Sequence, residues 1–128
     1  MPSKAPIQTT NAPAAIGPYS QAVRVGNTVY LSCSIPLEPE TGLVTEGDIT
    51  AQARRAFLNM KAVVEAAGGT LADVVKVGIF VTDMADFAAV NAVMAEFFDA
   101  PFPARSTVEV SALPRAVRVE VDGILVLD

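Results

Sequence analysis

The stretch DITAQARRAFLNMKAVVEAAGGTLADVVKVGIFVT (residues 48–82) joins the clearest helix of the chain to its clearest strand. Asp48 supplies a carboxylate that can accept the unpaired N–H groups of a helix's first turn. Gly68-Gly69 ends the helix, and the β-branched run 74–82 predicts a central strand. Within the helix, between Asp48 and Gly68, one apolar stripe recurs at helical spacing: Ile49, Ala53, Ala56, Phe57, Met60, Val63, Val64 and Ala67.

Before this stretch, AVRV (22–25) and TVYLSC (28–33) flank Gly26-Asn27 and predict a β-hairpin with a two-residue turn. Residues 1–20 are rich in proline and alanine and are expected to be an irregular lead-in. Residues 35–47 carry two prolines and Thr41-Gly42, which predict a turn-rich connection.

After it, a second helix is predicted from the stripe Phe87, Val90, Met94, Phe97 and Phe98, with its end at Pro101 and Pro103. RSTVEVS (105–111) and VRVEVDGILVL (117–127) then alternate as two strands around a Leu113-Pro114 turn.

The resulting order ββ, α, β, α, ββ predicts a single α+β domain over residues 1–128, with a mixed β-sheet and two helices on one face. The other sheet face has nothing to cover it in a monomer. Hydrophobic residues make up 52% of the chain and charged residues only 18%. This apolar excess indicates that copies of the chain cover that face in a homo-oligomer.

Charge and composition narrow the function classes. The net charge is −5, and Arg54-Arg55 is the only adjacent basic pair, so no basic stripe favours nucleic acid. The chain has no histidine, which removes histidine triads, histidine acid–base catalysis and nearly all zinc sites. No metal site is predicted.

Cys33 is the only cysteine, which is compatible with a reducing cytoplasm. No apolar run approaches the roughly 20 residues of a membrane helix, and the N-terminal stretch lacks the apolar core of a signal peptide. The expected location is therefore the cytoplasm.

Arg105 and Glu120 are the first candidates for chemistry. Arg105 leads into an apolar strand, where its guanidinium can clamp a substrate carboxylate or can lie solvated or paired with an acid at a strand edge. Glu120 interrupts an apolar strand, where it can orient or deprotonate a water or can simply alternate outward with its neighbours. Local sequence leaves both alternatives open.

If the last two strands form a hairpin about Pro114, Arg105 falls opposite Gly123. Glu120 then points to the other face of the sheet from Arg105. Unless a bulge changes this register, a pocket that holds both side chains takes one of them from a neighbouring subunit.

The remaining candidates also have more than one interpretation. Asn91 can bind a substrate, tie down a loop or pin buried backbone. Tyr19 can wall a pocket or lie on the surface, and Ser32 fits a hydrogen-bond donor better than a nucleophile. Cys33 lacks an activating base and is expected to be a small core residue. Three acids are expected at helix termini and in loops rather than as metal ligands: Asp83, Asp86 and Asp99.

Several motifs, in order along nearly the whole chain, resemble the reactive intermediate deaminase (RidA/YjgF) family of 2-iminobutanoate/2-iminopropanoate deaminases. The most specific part is PARS followed by LP and an acidic strand. The motifs are NAPAAIGPYSQAV (11–23), GNTVYLS (26–32), IPLEPETG (35–42), QARRAFLNMKAVVEAAGG (52–69), VVKVGIFVTDMADFAAVN (74–91), FPARSTVEV (102–110) and LPRAVRVEV (113–121).

The resemblance implies a chorismate-mutase-like homotrimer with a small-molecule site between subunits. Members hydrolyse 2-aminoacrylate and its imine tautomer to a 2-oxoacid and ammonia, without a cofactor. By motif position, Arg105 binds the substrate carboxylate and Glu120 orients the attacking water. The implied pocket residues are Tyr19, Ser32, Asn91 and Thr107, the last through its backbone.

Three departures from the family pattern bear on the substrate. Cys33-Ser34 stand where the family commonly has Gly-Gln, which adds a side chain beside the implied pocket. Thr107 occupies a position often held by cysteine, and the loop 99–101 is short. Two other functions remain open on the same scaffold: a regulatory protein that binds 2-oxoacids, and a translation-inhibiting endoribonuclease.

Overall fold

A computed structural model describes residues 3–128, which form one six-stranded sheet and two α-helices. The helices are α1 (Ile49–Ala66) and α2 (Phe87–Phe97). Short 3₁₀ turns precede β4 and α2, and another precedes β6. The strands are β1 (Ala5–Ile7), β2 (Ala22–Val25), β3 (Thr28–Ser34), β4 (Val74–Val81), β5 (Ala104–Glu109) and β6 (Val119–Val126).

The strand order is β1-β2-β3-β6-β4-β5, with β4 and β5 parallel and the other pairs antiparallel. The predicted mixed sheet is confirmed, but the predicted hairpin of the last two strands is wrong. β6 lies between β3 and β4, and β5 lies at the edge. The β6 side chains that face the helices are completely buried, and pairing on both sides gives this strand the central position.

The N-terminal segment contains a strand that the composition did not predict. β1 pairs with β2, with Ala5 beside Arg24 and Ile7 beside Ala22. Three residues around Pro6 are too short to show an alternating pattern, and proline is tolerated here because β1 is an edge strand. Residues 8–20 are irregular, as expected.

Helix α1 forms as its sequence predicts. The Asp48 carboxylate accepts the Ala51 N–H at 3.0 Å, and Gly68 adopts a positive φ of 92° just after the helix. The Phe57 ring is fully buried, stacked on Phe97 at 5.6 Å and edge-on to Phe98 at 6.0 Å between ring centroids. These contacts place both helices on the same face of the sheet.

The opposite face of the sheet, called the uncovered face below, carries the side chains that alternate with the core residues. Tyr30 is 48% exposed there, Val108 44% and Val126 39%. The expectation of a bare sheet face in the single chain is therefore confirmed. Within residues 3–128 no helix has the length and apolar character that crossing a membrane requires.

Candidate active site

Arg105 lies on edge strand β5 beside Val77, and its side chain turns towards helix α2. One guanidinium nitrogen, Nη1, donates to Asn91 Oδ1 and approaches Met94 Sδ at 3.7 Å. The guanidinium carbon is 5.2 Å from the centroid of the Phe87 ring. Because residues 87, 91 and 94 are about one helical turn apart, a single face of α2 holds the arginine.

The guanidinium keeps part of its hydrogen-bonding capacity free. Among the described residues, its Nε and Nη2 groups donate to nothing, and no carboxylate forms a salt bridge with it. Arg105 therefore has no acidic partner among the described residues of the single chain. Beside it lies an open cleft of about 420 Å³, lined by Asn91, Met94, Ala95, Phe102, Pro103 and Arg105. An oriented cation in a partly apolar cleft suits a small organic anion.

Glu120 lies on the uncovered face, half-buried, with Phe80 of β4 as its neighbour. Burial is the main reason that its pKa is raised above the ordinary value of 4.5. The nearby Cys33 thiol acts in the opposite direction and lowers the pKa, and the negative charge of Asp122 raises the pKa further. Glu120 is thus a carboxylate suited to accept a proton nearer to neutral pH than an exposed glutamate does.

A β-bulge brings Cys33 to these carboxylates. Leu31 pairs with Gly123 and Ser34 with Val121, so Ser32 and Cys33 together stand opposite Asp122 alone. Cys33 Sγ lies 3.9 Å from Asp122 Oδ2. The expectation that Cys33 is a core residue is wrong, because the bulge turns its exposed side chain onto the uncovered face.

The thiol of Cys33 is not an activated nucleophile. Desolvation of the sulfur, followed by the effects of Glu120 and Asp122, raises its pKa to about 12. The thiol is therefore protonated at neutral pH and acts as a hydrogen-bond donor.

Tyr19 and Ser32 meet at the other side of the bulge. Together with Cys33 they line a small pocket of about 70 Å³. Tyr19 is 54% exposed, and the Ser32 hydroxyl donates to the Ser20 carbonyl at 2.6 Å. Ser32 therefore has a backbone partner in the single chain.

Thr107 is a residue of β5 and pairs with Ile79 of β4. Its side chain lies on the same side of the sheet as that of Arg105. Its hydroxyl oxygen is buried and has no hydrogen-bond partner among the described residues. Because β5 pairs only with β4, part of its backbone hydrogen-bonding capacity faces away from the sheet.

The predicted site residues fall into two groups in one chain. Arg105 aligns with Val77 and Gly123 in one row across the sheet, so its side chain is on the helix side. Glu120, with Cys33 and the Tyr19–Ser32 pocket beside it, belongs to the uncovered face. The prediction that Arg105 and Glu120 point to opposite faces is confirmed, although the hairpin on which it was based does not exist.

Sequence reasoning missed three residues that act on these groups. Phe87 and Met94 were assigned only to the apolar stripe of α2, and Asp122 was given no separate role. The i, i+4 spacing of Phe87 and Asn91, and the i, i+2 spacing of Glu120 and Asp122, are the signals that pair them.

Asp83 and Asp86 lie just before α2, as expected, but the Asp86 side chain makes no capping hydrogen bond to the backbone. Asp83 Oδ1 accepts the Ala85 N–H at 2.9 Å, and Asp86 accepts from Arg118 at 2.7 Å. Within residues 3–128, no three cysteine or acidic side chains cluster as candidate metal ligands.

Comparison with known proteins adds independent findings. The family model described as Endoribonuclease L-PSP matches residues 9–127. The chain is 55% identical to a 2-iminobutanoate/2-iminopropanoate deaminase of Dermatophagoides farinae, over 100% of both chains. It is 53% identical to a protein of that name from Salmonella typhimurium, over 94% of this chain and 95% of the relative.

Solved structures agree. The RidA structure from the Antarctic bacterium Psychrobacter has a TM-score of 0.93 and 50% identity, over 96% of this chain and 99% of that one. Escherichia coli TdcF with bound serine has a TM-score of 0.93 and 43% identity, over 97% and 99%. Because model, relatives and structures all span nearly the whole sequence, the chain belongs to the Endoribonuclease L-PSP family, which includes the reactive intermediate deaminases that its motifs resemble.

Proposed function

We propose that the chain is an imine deaminase that hydrolyses 2-aminoacrylate, 2-iminopropanoate and 2-iminobutanoate to 2-oxoacids and ammonia. The observation that carries this proposal is the Arg105 guanidinium, which α2 holds over an open cleft with Nε and Nη2 free. Every 2-imino acid has a carboxylate that matches this two-nitrogen edge. The names of relatives more than half identical to the chain support the same substrates.

The chemistry needs little beyond positioning. Arg105 binds the carboxylate and so fixes the neighbouring C=N carbon, which is already electrophilic. Glu120 accepts a proton from a water that attacks this carbon, and the proton passes to the nitrogen. The tetrahedral carbinolamine then releases ammonia and leaves the 2-oxoacid, so one imine and one water give two products. No cofactor is required.

The other predicted residues shape this site. Asn91 lines the arginine cleft and holds Arg105, while Tyr19 and Ser32 line the pocket next to Glu120. Thr107 meets the substrate through backbone groups of the edge strand. The one cysteine is consistent with a cytoplasmic protein.

Two chains are needed to complete the site, because Arg105 and Glu120 occupy opposite faces of one sheet. A homotrimer in which the β5 edge of each subunit lies against the uncovered face of the next brings the arginine cleft of one subunit to the carboxylate of its neighbour and covers exposed apolar side chains. We expect a trimer by sedimentation velocity. Tyr30→Lys, on the uncovered face, should dissociate it, while Leu43→Lys, at an exposed loop position off the sheet, should not.

The site assignment is tested first by Arg105→Ala. Loss of a two-point, charge-assisted contact should lower kcat/KM for enzymatically generated iminopropanoate by about 100-fold or more. Arg24→Ala, which removes an arginine from the β2–β3 hairpin, is the matched control and should retain activity. Equal turnover in Arg105→Ala and wild type would reject the assignment.

Mixing two inactive variants tests whether each site takes Arg105 from one subunit and Glu120 from another. When Arg105→Ala and Glu120→Gln subunits assemble at random, about one site in four has both native residues if each site spans two subunits. Activity should then reappear at about that fraction. If both residues came from one chain, mixed trimers verified by mass would remain at the background of the parent variants.

The same assays separate the alternative functions. A 2-oxoacid-binding regulator would show ligand-dependent thermal stabilisation without turnover. The family description names an endoribonuclease, but the chain has no histidine and a net charge of −5, which do not suit RNA cleavage. RNA cleavage by the purified chain, lost in Arg105→Ala, would favour that function instead.

A further inference from the structure

Cys33 connects two parts of the candidate site that are otherwise separate. It lines the small pocket with Tyr19 and Ser32, and its sulfur also lies 3.9 Å from Asp122 Oδ2 on the uncovered face, where Asp122 and Glu120 stand two residues apart on β6.

The backbone dictates this position. The bulge places two β3 residues opposite Asp122, and it directs Ser32 towards the Ser20 carbonyl and Cys33 towards the carboxylates. A glycine at position 33 would leave the carboxylates without this neighbour. We propose that Cys33 is a positioning residue, whose S–H group donates to Asp122 at the bulge and so limits the repulsion between this carboxylate and Glu120, which orients the attacking water.

This role rests on the proposed deaminase function, and the charges around Glu120 show what a donor at position 33 does in this chain. Asp122, on the same strand, adds a like charge, whereas Phe80 on β4 is apolar and offers no hydrogen bond. Lys76 on β4 acts on Asp122, as does the Gly78 N–H. Arg118, two residues before Glu120, is paired with Asp86 instead.

The protonation state of the thiol makes this donation possible. Because burial and the two carboxylates raise the pKa of Cys33 to about 12, the sulfur carries its proton throughout the neutral range. The thiol also lowers the pKa of Glu120 and so opposes the increase caused by burial. Cys33 therefore favours the ionised carboxylate, which is the form that can take a proton from water.

The test compares wild type with Cys33→Ala and Cys33→Ser. In Cys33→Ala the acid limb of the kcat/KM profile should move to higher pH by about one unit. Cys33→Ser retains a donor of similar size and should restore the limb to near the wild-type position. Thr28→Ala, at the other end of the same strand, is the matched control and should leave the profile in place.

A titration that does not depend on turnover accompanies the kinetics. Carbon-13 NMR of labelled glutamate, with the Glu120 signal assigned by Glu120→Gln, should show the same upward shift in Cys33→Ala. An unchanged Glu120 titration and acid limb in a folded Cys33→Ala protein would overturn the proposal, as would a failure of serine to restore them. If wild type turns over no imine, the proposed function fails and the catalytic role of Cys33 fails with it, while the NMR titration still reports the thiol–carboxylate contact.

Discussion

The two faces of the sheet come from the same strands but have different chemistry. Towards the helices, β6 presents Val119, Val121 and Leu125, all completely buried. On the uncovered face the alternate residues include Glu120 and Asp122, both half-buried. A strand that repeats every two residues can thus build the core with one set of side chains and carry a reactive group with the other.

Of the substitutions that test this difference between the two faces, one on the helix side should have the largest effect on stability. Phe57→Ala removes a fully buried ring that packs on both Phe97 and Phe98, and it should lower the free energy of unfolding by about 3–5 kcal/mol. Urea denaturation followed by circular dichroism measures the change. Leu58→Ala, at the next and 36% exposed position, is the control. A similar loss in both variants would mean that the helices do not form the core described here.

On the uncovered face, a substitution of Glu120 should have a smaller effect of the opposite sign, because it should stabilise the fold. The pKa of Glu120 in the folded chain is raised above 4.5, its ordinary value, which we take for the unfolded chain. At pH values between the unfolded and the folded pKa, the folded chain therefore binds more protons than the unfolded chain. Stability must then fall as pH rises through this window, and the charged carboxylate destabilises the fold at neutral pH. Glu120→Gln should remove that cost and raise Tm at neutral pH, and the gain should disappear below pH 4.5.

Melting curves at constant protein concentration test this, because assembly also changes Tm. Glu40→Gln, at an exposed loop position, is the control and should show no such crossover. A Glu120→Gln protein that is less stable than wild type at neutral pH would show that the charged carboxylate stabilises the fold instead.

The same contrast explains which features the sequence could predict. The spacing of apolar residues and the capping of helices depend on residues that are close in sequence. Local patterns therefore predicted the cap at Asp48, the apolar stripe of α1 and the two faces of β6. Strand pairing depends on contacts between distant residues, and nothing local indicates that β5 pairs with β4 rather than β6. The bulge that exposes Cys33 is likewise a property of the β3–β6 pair. The site residues Arg105 and Glu120 came mainly from the family resemblance, because each has an ordinary local explanation.

The smallest expected effect concerns the arginine on the helix side. Phe87→Leu keeps an apolar residue under Arg105 but removes the ring 5.2 Å from the guanidinium, an interaction of about 0.5–1 kcal/mol at an exposed position. Since Arg105 also retains Asn91, KM for the imine should rise by only about 2- to 5-fold, with kcat nearly unchanged. Steady-state kinetics measures this split, and Met84→Leu, at an exposed position before α2, is the control. A fall in kcat as large as that of Glu120→Gln would mean that the α2 face acts on the reacting atoms. It would contradict the assignment of substrate binding to the helix side and of proton transfer to the uncovered face.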